Sequence, residues 1–205
     1  MKVLKQFLLG SMDNNCYVIE VNNEITVIDA PEGIERVIQY LKDFELTPKY
    51  LFLTHGHFDH ILGLKKLKNE FKDIIIIIGK KEASYLKNPD ENLSIYISEH
   101  CVYSGHYETY EGIDTKALGF RFEYISGHSK ASVILLFEEE KVAFVGDTLF
   151  ANSIGRSDLM YGDHTSLVVG IKQHLLTLPD ETKIYPGHGA TTSIGIEKKQ
   201  NNFLR

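Results

Sequence analysis

The chain reads as an α/β protein built from two mixed β-sheets with helices outside them, and three observations lead to that reading. Strand-like and helix-like patterns alternate in two successive groups, one on each side of a poorly patterned stretch at 89–118. The strands are short apolar runs closed by Gly, Asn or Pro turn signals. No segment repeats at a fixed period, and no low-complexity linker separates the groups, so 205 residues are expected to form one domain. Two sheets packed together with outer helices suit this alternation.

Lys2 to Leu9, Cys16 to Val21 and Glu24 to Asp29 are strands, split by Gly10-Ser11 and by Asn22-Asn23. Asn tolerates positive φ, so the second pair forms a hairpin. Ala30-Pro31-Glu32-Gly33 then opens a helix through about Phe44, with Ile34, Val37, Ile38 and Leu41 at helical spacing. Tyr50 to Thr54 is a buried strand, and Asp59 to Phe71 a helix striped by Ile61, Leu64, Leu67 and Phe71. Ile74 to Ile78 lacks alternation and is a fully buried strand. Lys80 to Lys87 and Leu93 to Ile97 are short helices. Strands return at Phe120 to Ser126, Ser132 to Glu138 and Lys141 to Gly146. Asp163 N-caps a helix to Leu176, a strand covers Lys183 to Tyr185, and a terminal helix runs near Ile194 to Lys199.

A hydrophobic fraction of 43% and a charged fraction of 24% are those of an ordinary globular protein. The formal charge of −6 argues against a nucleic-acid surface, and Lys65, Lys66 and Lys68 are expected to be a solvated helix face. Cys16 and Cys101 lie far apart without C-x-x-C spacing, which implies buried thiols and not a disulfide or a thiolate site. Phe7-Leu8-Leu9 is too short for a signal peptide, and Ile74 to Ile78 too short to span a bilayer. A cytoplasmic protein with no membrane partner is expected.

The densest chemistry is Thr54-His55-Gly56-His57-Phe58-Asp59-His60, three imidazoles and a carboxylate directly after a strand. Such groups suit zinc, iron and manganese, and four of them together can hold more than one ion. Three later segments share one plan, a strand end that delivers a single His or Asp into a Gly-containing turn. They are Ser126-Gly127-His128-Ser129, Val145-Gly146-Asp147-Thr148 and Tyr185-Pro186-Gly187-His188-Gly189. Loops at strand ends are where rigid scaffolds place reactive groups.

THGHFDH, SGHS, GDTLF and YPGHG, in this order and at these separations, resemble the metallo-β-lactamase-fold superfamily, with single-domain glyoxalase II-like hydrolases as the nearest match. The resemblance covers nearly the whole chain. It implies a four-layer αββα sandwich with the metals at one edge of the two sheets. It further implies that His55, His57 and His128 bind one divalent ion, that Asp59, His60 and His188 bind a second, and that Asp147 bridges both. Zinc is the expected metal, with iron or manganese as alternatives.

The implied activity is hydrolysis of a small-molecule thioester of the hydroxyacylglutathione type. Two ions roughly 3.5–4 Å apart share a water and ionise it near neutral pH, and Asp59 and Asp147 are the residues expected to act closest to that nucleophile. A thiolate leaving group needs no separate general acid. The chain ends soon after His188, so the helical domain that completes the glutathione pocket of the two-domain enzyme is expected to be missing. In the loop after Asp147, Arg156 and Asp158 are expected to pair and fix its shape. His164 and His174 are expected on the surface, and Tyr103, Tyr107, Tyr110 and Tyr161 in packing roles. The rival reading is an oxidoreductase similar to persulfide dioxygenases, with one iron on His55, His128 and Asp147. A lactonase or β-lactamase and a non-catalytic metal module are weaker alternatives, and the sequence leaves the oligomeric state open.

Overall fold

The first three strands hold one another in antiparallel register because each is joined to the next by a tight turn. In the computed structural model, which describes residues 1–205, they are β1 (Lys2–Leu9), β2 (Asn14–Val21) and β3 (Glu24–Ile28). Asn22 and Asn23 both adopt positive φ, 49° and 64°, as a two-residue hairpin turn requires. The chain then crosses over through α1 (Glu35–Asp43) and continues with β4 (Pro48–Phe52), α2 (Phe58–Ile61), α3 (Leu64–Glu70), β5 (Ile75–Ile78) and β6 (Glu108–Thr109). β3 to β6 pair in parallel, giving a mixed six-stranded sheet in the order β1-β2-β3-β4-β5-β6. One face of it, with Cys16, Val18, Val27, Leu51 and Ile76, packs against Val37 and Leu41 of α1 and Leu64 and Leu67 of α3.

These elements belong to one of two compact units, Met1–Asp114. The other, Thr115–Arg205, carries β7 (Arg121–Ile125), β8 (Ser132–Phe137), β9 (Val142–Gly146), the small hairpin β10 (Leu149–Phe150) and β11 (Ser153–Ile154), α4 (His164–Gly170), β12 (Lys183–Pro186), β13 (Thr192–Ser193) and α5 (Ile194–Gln200). Its five-stranded sheet runs β13-β12-β9-β8-β7 and is also mixed, since β12 and β9 are parallel and the other pairs antiparallel. Ile134, Leu136, Ala143 and Ile184 of the sheet meet Leu167, Ile171 and Leu175 of the helical segment. The predicted fold class, two mixed sheets with helices, is the one found.

Three elements differ from the sequence reading. The helix expected over 59–71 is broken at Leu62–Gly63, because Ala30 donates to the His60 carbonyl at 2.8 Å and Gly63 donates to the Ala30 carbonyl at 2.7 Å. A side chain at Gly63 would overlap the Pro31 carbonyl, so this close approach requires glycine. The strand expected over 50–54 is displaced to Pro48–Phe52, with Thr54 turning its N–H onto a side chain instead of the sheet. The helix from Asp163 narrows to α4 and then widens into a π turn over Ile171–Leu175, closed by Leu176 N–H donating to the Ile171 carbonyl.

Asp163 caps α4 as expected, its Oδ1 accepting the Ser166 N–H at 2.6 Å, and that bond holds its carboxyl below the usual range. Replacing Asp163 with Ala should lower the folding equilibrium constant roughly three- to tenfold. A urea midpoint that falls while the slope stays constant is the expected readout. Because the folded-state pKa is depressed, the advantage of Asp163 is present above the ordinary carboxylate range and fades as the pH drops through the lowered value. Equal midpoints at pH 7 would refute the cap.

No helix of the protein is long and apolar enough to cross a membrane. Cys16 and Cys101 are buried and free, and burial pushes the Cys101 thiol up to about 11, so neither supplies a thiolate at neutral pH.

Candidate metal centre

Unit by unit, the predicted ligands gather at the C-terminal ends of strands. In the first unit β3 and β4 run parallel, so Asp29 just beyond β3 stands beside the chain leaving β4. Asp29 N–H donates to the Phe52 carbonyl at 2.9 Å. His55 and His57 follow, and Asp59 and His60 lie in the first turn of α2. The His55 ring centre is 4.8 Å from that of His57 and 4.2 Å from that of His60. All four predicted ligands of this unit are buried, with His55 and His60 fully inaccessible.

The protons in this cluster can be assigned from bonds to Asp29, which is 2% exposed and sits at φ 58°, in the left-handed region. Its Oδ1 accepts the Thr54 N–H at 2.8 Å, and its Oδ2 lies 2.8 Å from both Thr54 Oγ1 and His60 Nδ1. An ionised carboxylate only accepts. The Thr54 hydroxyl therefore donates to Asp29, and Thr54 Oγ1 accepts from His55 Nδ1 at 3.1 Å. Both imidazoles then carry their proton on Nδ1 and a lone pair on Nε2, the tautomer a metal ligand needs.

In the second unit β9 and β12 are parallel neighbours, tied past their ends by Gly187 N–H donating to the Gly146 carbonyl at 2.8 Å. Asp147 and His188, one residue beyond, are thereby placed side by side. His128 Nδ1 donates to the Arg156 carbonyl at 2.9 Å, which again leaves the lone pair on Nε2. Arg156 and Asp158 form the expected bidentate pair at 2.8 and 2.9 Å. The guanidinium holds the Asp158 carboxyl down to about 2, so the pair stays charged at any working pH. A Cβ at Gly155 would overlap the Asp147 carbonyl oxygen, so the loop can lie against the strand end only with glycine there.

Asp147 Oδ2 is 3.4 Å from His188 Nε2 and 3.7 Å from His128 Nε2, and in the first unit Asp59 Oδ2 is 3.5 Å from His60 Nε2. These separations exceed the 2.7–3.2 Å of a hydrogen bond. Two ligands held at about 2.0–2.2 Å by one tetrahedral ion lie roughly 3.3–3.6 Å apart, which these pairs approximate. Neutral imidazole and carboxylate also form the donor set of zinc, iron and manganese sites. The residues fit a metal.

Beyond the predicted ligands, the unit-one cluster rests on groups the sequence reading passed over. Asp29 was only the last residue of a strand there, yet it shares the plan sought elsewhere, an acid where a strand ends. Glu82 is fully buried and accepts the Gly56 N–H at 3.1 Å, which fixes the turn between His55 and His57. Asn92 ties the Tyr85 and Cys101 carbonyls at 2.7 and 2.8 Å. Glu197 does similar work in the second unit, accepting from Asn152 N, Thr192 Oγ1 and Asn201 Nδ2 and so linking the β10–β11 hairpin to α5. The hairpin's Phe150 packs edge-on to His188, with ring centres 6.2 Å apart.

Some side expectations need correction. Tyr110 and Tyr103 are buried as expected, but Tyr161 is 47% exposed, with the Lys130 ammonium 5.5 Å from its ring centre. Lys68 is not simply solvated, since its Nζ donates to the Lys72 and Ile74 carbonyls. His174 is half-buried and 3.7 Å from Glu123, so of these two histidines His164 alone is exposed as expected.

The family model for the metallo-beta-lactamase superfamily matches residues 9–188. Hydroxyacylglutathione hydrolase GloC of Haemophilus influenzae is 33% identical over 205 residues, covering 95% of this chain and 94% of its own length. The solved BLEG-1 B3 metallo-beta-lactamase is similar with a TM-score of 0.88 at 36% identity, over 98% of each chain. TTHA1623, solved in a di-iron-bound form, has the same TM-score at 29% identity, over 98% of this chain and 100% of its own. The chain belongs to the metallo-beta-lactamase superfamily, as a metallo-hydrolase with His and Asp groups that could hold metal.

Proposed function

We propose that the protein is a thioester hydrolase of the hydroxyacylglutathione type, working with two divalent ions. The observation that carries the reading is the donor set. In the first unit His55, His57, Asp59 and His60 are buried together, and in the second Asp147 Oδ2 lies 3.4 Å from His188 Nε2 and 3.7 Å from His128 Nε2; on this reading His55, His57 and His128 would hold one ion, and Asp59, His60 and His188 the other. In this reading Asp147 serves both ions. The likeness to GloC over nearly the full length of both chains supports the thioester substrate. The di-iron-bound relative supports a two-ion site and keeps iron beside zinc as the metal.

When bound, two such ions would supply Lewis acidity that brings a water's pKa toward neutrality and stabilises the oxyanion of an attacked carbonyl. The chain's own residues prepare for that. Asp29 and Thr54 fix the proton on Nδ1 of His55 and His60, and the Arg156 carbonyl does so for His128, so three imidazoles present lone pairs without rearranging. Asp59 and Asp147 are committed as ligands and orient the nucleophile in preference to taking its proton. A thiolate departs without protonation, so the site needs no added general acid.

The test is metal counting on protein from minimal medium, together with hydrolysis of a panel of acyl-glutathione and other thioesters. About two ions per chain and thioester turnover are expected. Metal-loaded protein inert toward the whole panel would sink the thioester assignment. One iron per chain with oxygen uptake on glutathione persulfide would replace it with the oxidoreductase reading. Turnover of a β-lactam or a lactone alone would move it to a ring-opening hydrolase.

A further inference from the structure

The turn between β1 and β2 is built tightly for a surface hairpin. Gly10 and Asp13 both take positive φ, 69° and 53°, and between them the Ser11 N–H and hydroxyl each donate to Glu32 Oε2 at 3.1 Å. The turn is therefore tied to the segment that precedes α1. The next residue, Asn14, opens β2 and is 1% exposed, although an amide side chain at a strand end would ordinarily be solvated. Its Nδ2 reaches 45 positions along the chain and donates to Asp59 Oδ2 at 3.0 Å.

That same oxygen is the one 3.5 Å from His60 Nε2. A carboxylate oxygen offers two lone pairs in the plane of the group. The amide bond to Oδ2 restrains rotation of the Asp59 carboxylate, and so holds that oxygen at its 3.5 Å distance from His60 Nε2. We infer that Asn14 is a positioning residue for the Asp59 ligand, and that the Glu32-anchored β1–β2 turn is what delivers it. The inference rests on the reading of Asp59 as a metal ligand. It extends that reading by naming the group that sets the ligand's orientation and by making one of the two ions selectively dependent on it. Partners of this kind typically change metal affinity about 10- to 100-fold when removed.

The test is a cobalt(II) titration of the metal-free full chain, followed by visible absorption and calorimetry, for the wild type, Asn14→Ala and Asn14→Thr. Thr is close to Asn in volume and suits a strand, so it guards against a folding loss in the Ala variant. Two resolved binding steps are expected for the wild type. Both variants should weaken one step about 10- to 100-fold and leave the other within about twofold. A merely structural role would lower the thermal midpoint of the metal-free variants and weaken both steps alike. Two wild-type steps with an unchanged ratio of constants in both variants would overturn the role of Asn14 and leave the two-ion reading intact. Fewer than two steps in the wild type would remove that reading, and the inference with it.

Discussion

On the proposed two-ion thioesterase reading, Asp147→Ala is expected to abolish thioester hydrolysis and to strip metal from the purified protein. Its Oδ2 stands between two imidazoles, 3.4 Å from His188 Nε2 and 3.7 Å from His128 Nε2. Removing it takes away the one carboxylate among the second unit's candidate donors His128, Asp147 and His188. Charge stabilisation by a bound ion is worth several kcal/mol, and each 1.4 kcal/mol is a factor of ten, so a loss on the order of a thousandfold or more follows. Asp147→Asn separates charge from shape, because the amide fills the same space but is a far weaker ligand. It should lose nearly as much activity while keeping the thermal midpoint of the metal-free protein. Rates and metal content from the same preparations decide the matter. A fully loaded, fully active Asn variant would dismiss the shared-ligand role.

Asp29→Ala should produce the largest loss of stability of any single change discussed. The carboxylate satisfies a buried backbone N–H, a buried hydroxyl and a buried imidazole, each at 2.8 Å. Breaking a buried group of this kind costs about 3–5 kcal/mol, since its partners are left without compensation. For a chain of this size that is a drop of roughly 6–20 °C in thermal midpoint. Two ligand tautomers should be released at once, because His60 is held directly and His55 through Thr54. The variant should therefore bind metal weakly even at temperatures where it remains folded. A midpoint within about 2 °C of wild type, or unaltered metal affinity, would contradict this account.

Much of the fold was legible because it rests on local rules. Asn22-Asn23 announces its hairpin, Asp163 its helix cap, and the unalternating Ile74 to Ile78 its buried strand. The candidate donors were legible for a similar reason, since strand-end His and Asp beside glycine form a short-range signal. What escaped depends on contacts between distant residues. The break at Gly63 is made by Ala30, and the helical pattern around it gives no hint. The weight carried by Asp29, Glu82 and Asn14 comes from partners 25 to 45 positions away. A single sequence read in order lists such residues as the ends of strands or the polar face of a turn.

The division of donors between two units has a kinetic consequence during synthesis. His55, His57, Asp59 and His60 all belong to Met1–Asp114, and His128, Asp147 and His188 to Thr115–Arg205. On the ribosome the last donor emerges roughly 130 residues after the first four, which at ~5–20 residues per second is on the order of ten seconds. On the two-ion reading, an ion captured in that interval would have only the donors of the first unit to hold it until the later ones emerge.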